Sequence, residues 1–320
     1  MAKMKTSEAA GGSREAKFEE IKVGKLRWLY FSRTRKREAD YLARNFQFDD
    51  LETRACLPPI QRPRLYNHDD YIFMILQFPV YRAYDRVVTA SEVDFFLTGD
   101  TLVTVNDGSL ASLADFFKLC QDNPALRKRS FRDAGTLMLA LLDYMLDDCL
   151  PMLNHINLDV DAIEDDIFVG HEKAMVKEIS IIKRNIINFR KTMQLHKNII
   201  RKLVERAPNI FNLKRLELSY YNVIANTKEI WDSLTGYKDS IDALHQTNES
   251  LISFKTNEII KTLTIFSVIV FPLTLLASIF GMNVVRMPFV KDYNGFLEVL
   301  ALMAVLSLIM LAYFKRRKWL

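Results

Sequence analysis

Cysteine and histidine are scarce. Among 320 residues there are three cysteines, Cys56, Cys120 and Cys149, far apart and without a C-x-x-C pair. That excludes a disulfide framework and a zinc knuckle, and leaves buried reduced thiols as the expectation. The five histidines are isolated, and none has metal-ligand spacing. No P-loop, no G-x-G-x-x-G and no G-x-S-x-G occurs, so nothing is placed to cradle a nucleotide or to present a nucleophile. An enzymatic reading has no residues to stand on. Blocks of one charge sign are missing too, except at the C-terminus: Lys and Arg are interleaved with acids, and the net charge of +5 does not point to nucleic acid. The N-terminus lacks a signal-peptide pattern; residues 1–20 are polar, contain Gly11-Gly12-Ser13, and read as a disordered tail.

The chain does have a long apolar run, IIKTLTIFSVIVFPLTLLASIFGMNVV over residues 259–285. No charged residue lies between Thr262 and Phe280, and such a stretch, as helix at about 1.5 Å per residue, spans roughly 28 Å, the thickness of a bilayer's hydrocarbon core. The segment is expected to cross a membrane. Its polar residues are not scattered. Alternate steps of three and four from Asn257 give Ile260, Thr264, Ser267, Phe271, Thr274, Ser278 and Gly281, one stripe holding most of the small and polar side chains. Hydroxyls in a bilayer are tolerated where they bond a neighbouring helix or line water, so the stripe reads as a helix–helix seam or a pore wall. The bland alternative is that each hydroxyl bonds back to a carbonyl of its own helix. Ala277 and Gly281 add a small-xxx-small spacing that lets backbones approach closely.

A second span is expected over Phe296–Phe314, with Glu298 near the interface, followed at once by Lys315-Arg316-Arg317-Lys318. The positive-inside rule keeps that basic end in the cytoplasm, and two spans then put the N-terminal 258 residues there as well.

Upstream, residues 21–131 alternate short apolar runs with helical patterns, as α/β or α+β domains do. Leu26–Phe31, Tyr71–Val80, Val93–Leu97 and Leu102–Asn106 read as strands, and Arg37–Phe46 and Leu110–Leu119 as helices. From about Asp133 to Ile167 the pattern is helical and acidic, including Asp143, Asp147, Asp165 and Asp166. Such carboxylates either bind hydrated Mg2+ weakly or form a solvated helix face. A helix over about Glu172–Arg206 is basic instead, which suggests an antiparallel hairpin held partly by ion pairs. After Pro208, Leu213, Leu216, Tyr220, Val223, Thr227, Ile230, Leu234, Tyr237, Ile241, Leu244, Asn248 and Leu251 keep a three-four alternation. One helix from Leu213 to Phe280, roughly 100 Å long, is the expectation, a rod coupling a cytosolic domain to the membrane. The domains are thus expected as a tail (1–20), an α/β domain (21–131), a helical hairpin with stalk helix (132–258) and a two-helix membrane domain (259–320).

Phe280-Gly281-Met282-Asn283, Asn257-Glu258, Leu263-Thr264, Phe271-Pro272-Leu273-Thr274, Met287-Pro288 and the basic Lys318-Trp319-Leu320 tail stand in an order that resembles the CorA family of divalent-cation channels. Arg62-Pro63-Arg64-Leu65, Asp70-Tyr71-Ile72-Phe73 and Glu92-Val93-Asp94-Phe95 extend the resemblance more loosely over the cytosolic part. It implies an α+β membrane protein assembled as a homopentameric funnel, multi-pass in the inner membrane with both termini cytoplasmic. It implies a filter at Gly281, Met282 and Asn283, and a pore lined by Asn257, Ile260, Leu263, Thr264, Ser267, Phe271, Thr274 and Ser278. Mg2+ would be cargo and regulator, the latter through Asp143, Asp147, Asp165 and Asp166, and Lys315, Arg316, Arg317 and Lys318 would meet lipid. A ring of Asn283 amide oxygens suits an ion that keeps its water. Co2+, Ni2+ or Zn2+ transport is the rival within the family, and a membrane-tethered coiled-coil sensor the rival outside it. The chain departs from the family pattern at Phe289, where glutamate usually follows the loop proline, at Phe271, where methionine is common, and at Asn222 and Gln246, where some relatives carry aspartate.

Overall fold

A computed structural model describes residues 16–207, 210–211, 213–282 and 294–319. Two compact units divide the chain, one up to His245 and one from Gln246 onward.

In the first unit, strands β1 (Glu19–Val23) and β2 (Leu26–Ser32) are followed by helices α1 (Lys36–Phe46) and α2 (Asp50–Ala55), then by β3 (Arg64–Asn67), β4 (Ile72–Arg82), β5 (Val87–Leu97) and β6 (Thr101–Asn106). The sheet order is β1-β2-β6-β5-β4-β3, with β2 and β6 parallel and the other pairs antiparallel. Three of the predicted strands lie within one or two residues of β2, β4 and β6, whereas Val93–Leu97 covers only the second half of β5, which begins at Val87. The two edge strands escaped the reading because β1 (EEIKV) and β3 (RLYN) are short and charged, the composition that discourages pairing at a sheet edge. Leu29, Phe31, Phe73, Ile75, Phe96, Val103 and Val105 project from one face into a core closed by Leu42, Phe48, Ala55 and Cys56.

Helices α3 (Ala111–Asp122), α4 (Pro124–Ser130), α5 (Ala134–Asp147), α6 (Leu150–Val169), α7 (Glu172–Met193) and α8 (His196–Arg206) follow. Their starts and stops follow local chemistry. Asn123 Oδ1 accepts from Ala125 and Leu126 N–H ahead of α4, Asp133 accepts from Thr136 N–H ahead of α5, and Gly170 ends α6 in the left-handed region at φ 104°. The acidic stretch is two helices, since Pro151 sits in the first turn of α6, where its missing N–H costs nothing.

The basic stretch is likewise two helices, broken at Gln194-Leu195 rather than continuous. The buried series Met175, Ile179, Ile182, Ile186, Phe189, Met193, His196, Ile200 and Leu203 keeps three-four spacing straight through that break, so periodicity gave no sign of it. Where α7 makes ion pairs they run to the β4–β5 turn, Arg86 Nη2 to Glu178 Oε2 at 2.6 Å, and to the stalk, Lys183 Nζ to Asp242 Oδ1 at 2.7 Å.

Helix α9 (Leu213–Phe280) is a single helix, as predicted. Leu216, Val223, Thr227, Ile230, Leu234, Ile241 and Leu244 of the expected seam are buried. Arg190 stacks over Trp231 at 4.8 Å on the same flank. In the second unit, α10 (Gly295–Arg316) is the second helix. Both it and α9 contain an 18-residue window of mean hydropathy 2.4, long and apolar enough to cross a membrane.

Candidate functional site

The last third of α9 sorts its side chains by face. Ile265 is buried, and on its side of the helix Lys261, Ile269, Pro272, Leu273, Leu276 and Phe280 are half-buried; Thr264 and Ser267 of the stripe are half-buried as well. At about 100° per residue Ile265 and those on its side fall within about 80° of one direction. Ile260, Leu263, Thr264, Ser267, Phe271, Thr274, Ser278 and Gly281 lie between about 100° and 180° away from Ile265 on the same count. Most of the shielded positions thus lie away from the polar stripe, of which Ile260, Leu263, Phe271, Thr274, Ser278 and Gly281 are exposed. Phe271 is 73% exposed. Asn257, one turn earlier, has drifted toward the flank and is exposed.

Each stripe hydroxyl donates to the carbonyl four residues back: Thr264 to Ile260 at 2.8 Å, Ser267 to Leu263 at 2.8 Å, Thr274 to Val270 at 2.9 Å and Ser278 to Thr274 at 2.8 Å. The bland geometry holds within one protomer for all four. It leaves their oxygen lone pairs uncommitted. Pro272 lacks an N–H, so the Val268 carbonyl has no intrahelical partner from it. The helix closes with Gly281 N–H donating to Ala277 O at 2.9 Å and Met282 N–H to Ile279 O at 3.2 Å, and Met282 is exposed. Asn283, expected as the filter amide, lies outside the described residues, as do Phe289 and its neighbours.

The carboxylates expected to regulate fall into two places. Asp143 and Asp147, one turn apart on α5, both accept from the Asn226 amide of α9, at 3.2 and 2.9 Å. Burial, and then the negative charge of Asp147, push the Asp143 carboxyl up; burial does the same to Asp147. Asp166 faces His171 Nδ1 at 3.0 Å at the α6–α7 turn, and Asp165 is exposed. Among the described residues of one protomer, no three or more His, Cys, Asp or Glu are grouped to hold an ion. Asn226 was not singled out in the sequence; its signal is a step of four from both Asn222 and Ile230 on a helix whose neighbouring Val223, Thr227 and Ile230 are buried.

At the chain's end Lys315, Arg316, Arg317 and Lys318 are all exposed beyond the buried Phe314, on which Trp319 stacks at 5.8 Å.

Known proteins share this arrangement. The model of the CorA-like Mg2+ transporter protein family matches residues 23–316. The cobalt/magnesium transport protein CorA of Thermotoga maritima is 29% identical over 81% of this chain and 73% of its own. The complete structure of the CorA magnesium transporter from Methanocaldococcus jannaschii superposes with a TM-score of 0.81 at 20% identity, over 95% of both chains. The cytoplasmic domain of ZntB from Vibrio parahaemolyticus shares the fold of the first part more distantly, with a TM-score of 0.55 at 14% identity over 72% of this chain and 89% of that one.

Proposed function

Since this chain belongs to the family of CorA-like Mg2+ transporter proteins, divalent-cation transporters of the membrane and not enzymes, we propose that it passes hydrated Mg2+ into the cytoplasm down the membrane potential. The observation that carries this reading is the polarity of α9: its small and polar side chains form one stripe, largely exposed in the single chain and on the side away from the buried Ile265. A helix with one largely exposed polar stripe encloses nothing alone. Closed cyclic symmetry supplies the remaining walls, and five copies, as the family resemblance implies, put each stripe toward the axis.

In that assembly Gly281, Met282 and Asn283 form the entrance. The Asn283 carbonyls accept hydrogen bonds from the ion's bound water without the grip of a full charge, which keeps binding weak enough for release. The protein sits in the inner membrane with both ends cytoplasmic, Lys315 to Lys318 against anionic headgroups. Internal Mg2+ favours the closed state by bridging Asp143, Asp147, Asp165 and Asp166 across protomers, more weakly than a fuller carboxylate set would, because Asn222 and Gln246 are neutral.

The test is uptake into liposomes holding a Mg2+-sensitive dye. Asn283→Ala is expected to abolish selective flux while leaving the oligomer intact on size exclusion. Unchanged uptake would remove the entrance assignment. The relatives named cobalt/magnesium transport proteins favour a second cargo, Co2+, and the same assay with a Co2+-quenched dye measures the ratio.

A further inference from the structure

The first unit contains a cavity, apolar over most of its wall, that ion conduction does not use. Its volume is about 270 Å3, and its walls are Thr34, Cys56, Leu57, Pro58, Ile60, Glu92, Asp94, Val105, Asn106 and Asp107, with Arg33 and Arg35 at its exposed edge. Asp94 occupies an anomalous place. It sits on an inner strand of the sheet, paired with Ile75 of β4 and Val105 of β6, on the face that otherwise projects the apolar core. It is 2% exposed, and its Oδ1 is buried without a hydrogen-bond partner. A lone carboxylate there carries a large desolvation cost unless something compensates it.

The Cys56 thiol and the Glu92 carboxyl lie within bonding reach of Asp94, but its Oδ1 stays unpartnered. Glu92, two residues along the same strand, faces the same way, and its Oε2 accepts from Gln61 N–H. Burial foremost, together with the Glu92 charge, pushes the Asp94 carboxyl well up, and burial raises Glu92 as well, although Arg64 opposes both shifts. Burial thus favours a proton shared by the pair, and a ligand's cation could take its place. A second orphan lines the same cavity: Thr34 Oγ1 is buried and unpartnered. Both orphans have lone pairs to offer, so together they ask for a donor with several hydrogens. At the edge, Arg33 lies over Gly108, whose added Cβ would meet Arg33 Cγ at 3.1 Å, and among the described residues neither Arg33 nor Arg35 has an ion-pair partner through its guanidinium.

We infer that this cavity binds a small aliphatic α-amino acid, its ammonium on Asp94 and Thr34, its carboxylate toward Arg33 and Arg35, and its side chain among Leu57, Pro58, Ile60 and Val105. The volume is below the usual range for drug-sized ligands, which suits a molecule of this size. Arginines at the edge and a buried acid pair with one unpartnered oxygen within select for a zwitterion over either a simple amine or a simple acid, because each half-ligand leaves one end of the cavity unmatched. The inference does not depend on what the pore conducts.

Isothermal titration of the detergent-solubilised full chain with L-leucine and L-valine tests it. Isopentylamine, which lacks leucine's carboxylate, 4-methylpentanoate, which lacks its ammonium, and MgCl2 serve as comparisons. Saturable leucine or valine binding is expected, with both half-ligands weaker by about tenfold or more. Asp94→Asn and Thr34→Val are each expected to weaken it by about tenfold, and Arg33→Ala by a similar factor. Thr34→Val and Arg33→Ala carry the test if Asp94→Asn fails to fold. No saturable amino-acid binding up to about 10 mM, amine binding as tight as leucine, affinity unmoved by the variants, or an Asp94-dependent response to MgCl2 in place of leucine would each overturn it.

Discussion

The Asn226 amide of α9 donates to Asp147 of α5 at 2.9 Å, and the same nitrogen reaches Asp143 at 3.2 Å. One neutral donor of α9 thus holds two carboxylates of α5 together. Replacing that donor by a third carboxylate, Asn226→Asp, converts attraction into repulsion that a divalent ion would relieve. The variant is expected to melt several degrees below the wild type in EDTA and to recover most of the loss in millimolar MgCl2. A wild-type-like response to Mg2+ would show that the carboxylates relax apart instead.

Phe271 is exposed, and it lies on the stripe rather than on the face that carries Ile265. As a ring of aromatic side chains around an axis it would form a dewetting barrier. Phe271→Ala is expected to raise leak current in planar bilayers with little change in melting temperature. A drop in stability without leak would mean that the ring packs against lipid or α10.

His196 is fully buried, edge-on to Phe78 at 5.1 Å, and burial holds its pKa down at about 4. The unfolded chain, near 6.5, binds the extra proton first, so the contribution of neutral His196 is whole above about pH 6.5 and is lost as pH falls toward 4. Integrated over that window the loss is about 3 kcal/mol. Denaturant titrations should therefore show stability falling more steeply with acid in the wild type than in His196→Leu. Parallel curves would refute the assignment.

Gly135 opens the first turn of α5 against the segment after α8. A Cβ there would lie 2.7 Å from the Ile210 carbonyl and 3.2 Å from Phe211 Cδ1. Backbone cannot yield as a flexible side chain can, and overpacking of this kind costs about 1–3 kcal/mol. Gly135→Ala should lower the denaturation midpoint accordingly, and a neutral result would mean that the segment at Ile210 shifts freely.

How much of this the chain discloses depends on which force places each residue. The α9 seam and the apolar spans were legible because one pattern, repeated over many turns, buries one face. Edge strands β1 and β3 were not, since their pairing rests on backbone bonds that any side chain permits. The jog at Gln194-Leu195 was hidden because the buried spacing survives it. Asp94 was quoted only as part of a family resemblance, because alternation places it on a face but says nothing of what surrounds that face. Asn226 was missed because a neutral amide announces itself only through the two carboxylates it meets.

The stripe's hydroxyls each give their hydrogen to their own helix, so toward the outside they show oxygen alone. In a pore walled by such stripes, a hydrated cation arrives with its waters' hydrogens pointing outward and finds acceptors at every turn. A hydrated anion spends one hydrogen of each such water on itself and turns lone pairs outward, so it finds fewer bonds along the same wall. Charge discrimination would then come from the direction of O–H bonds set by helical geometry, over a length of wall that carries no formal charge from Thr262 to Phe280.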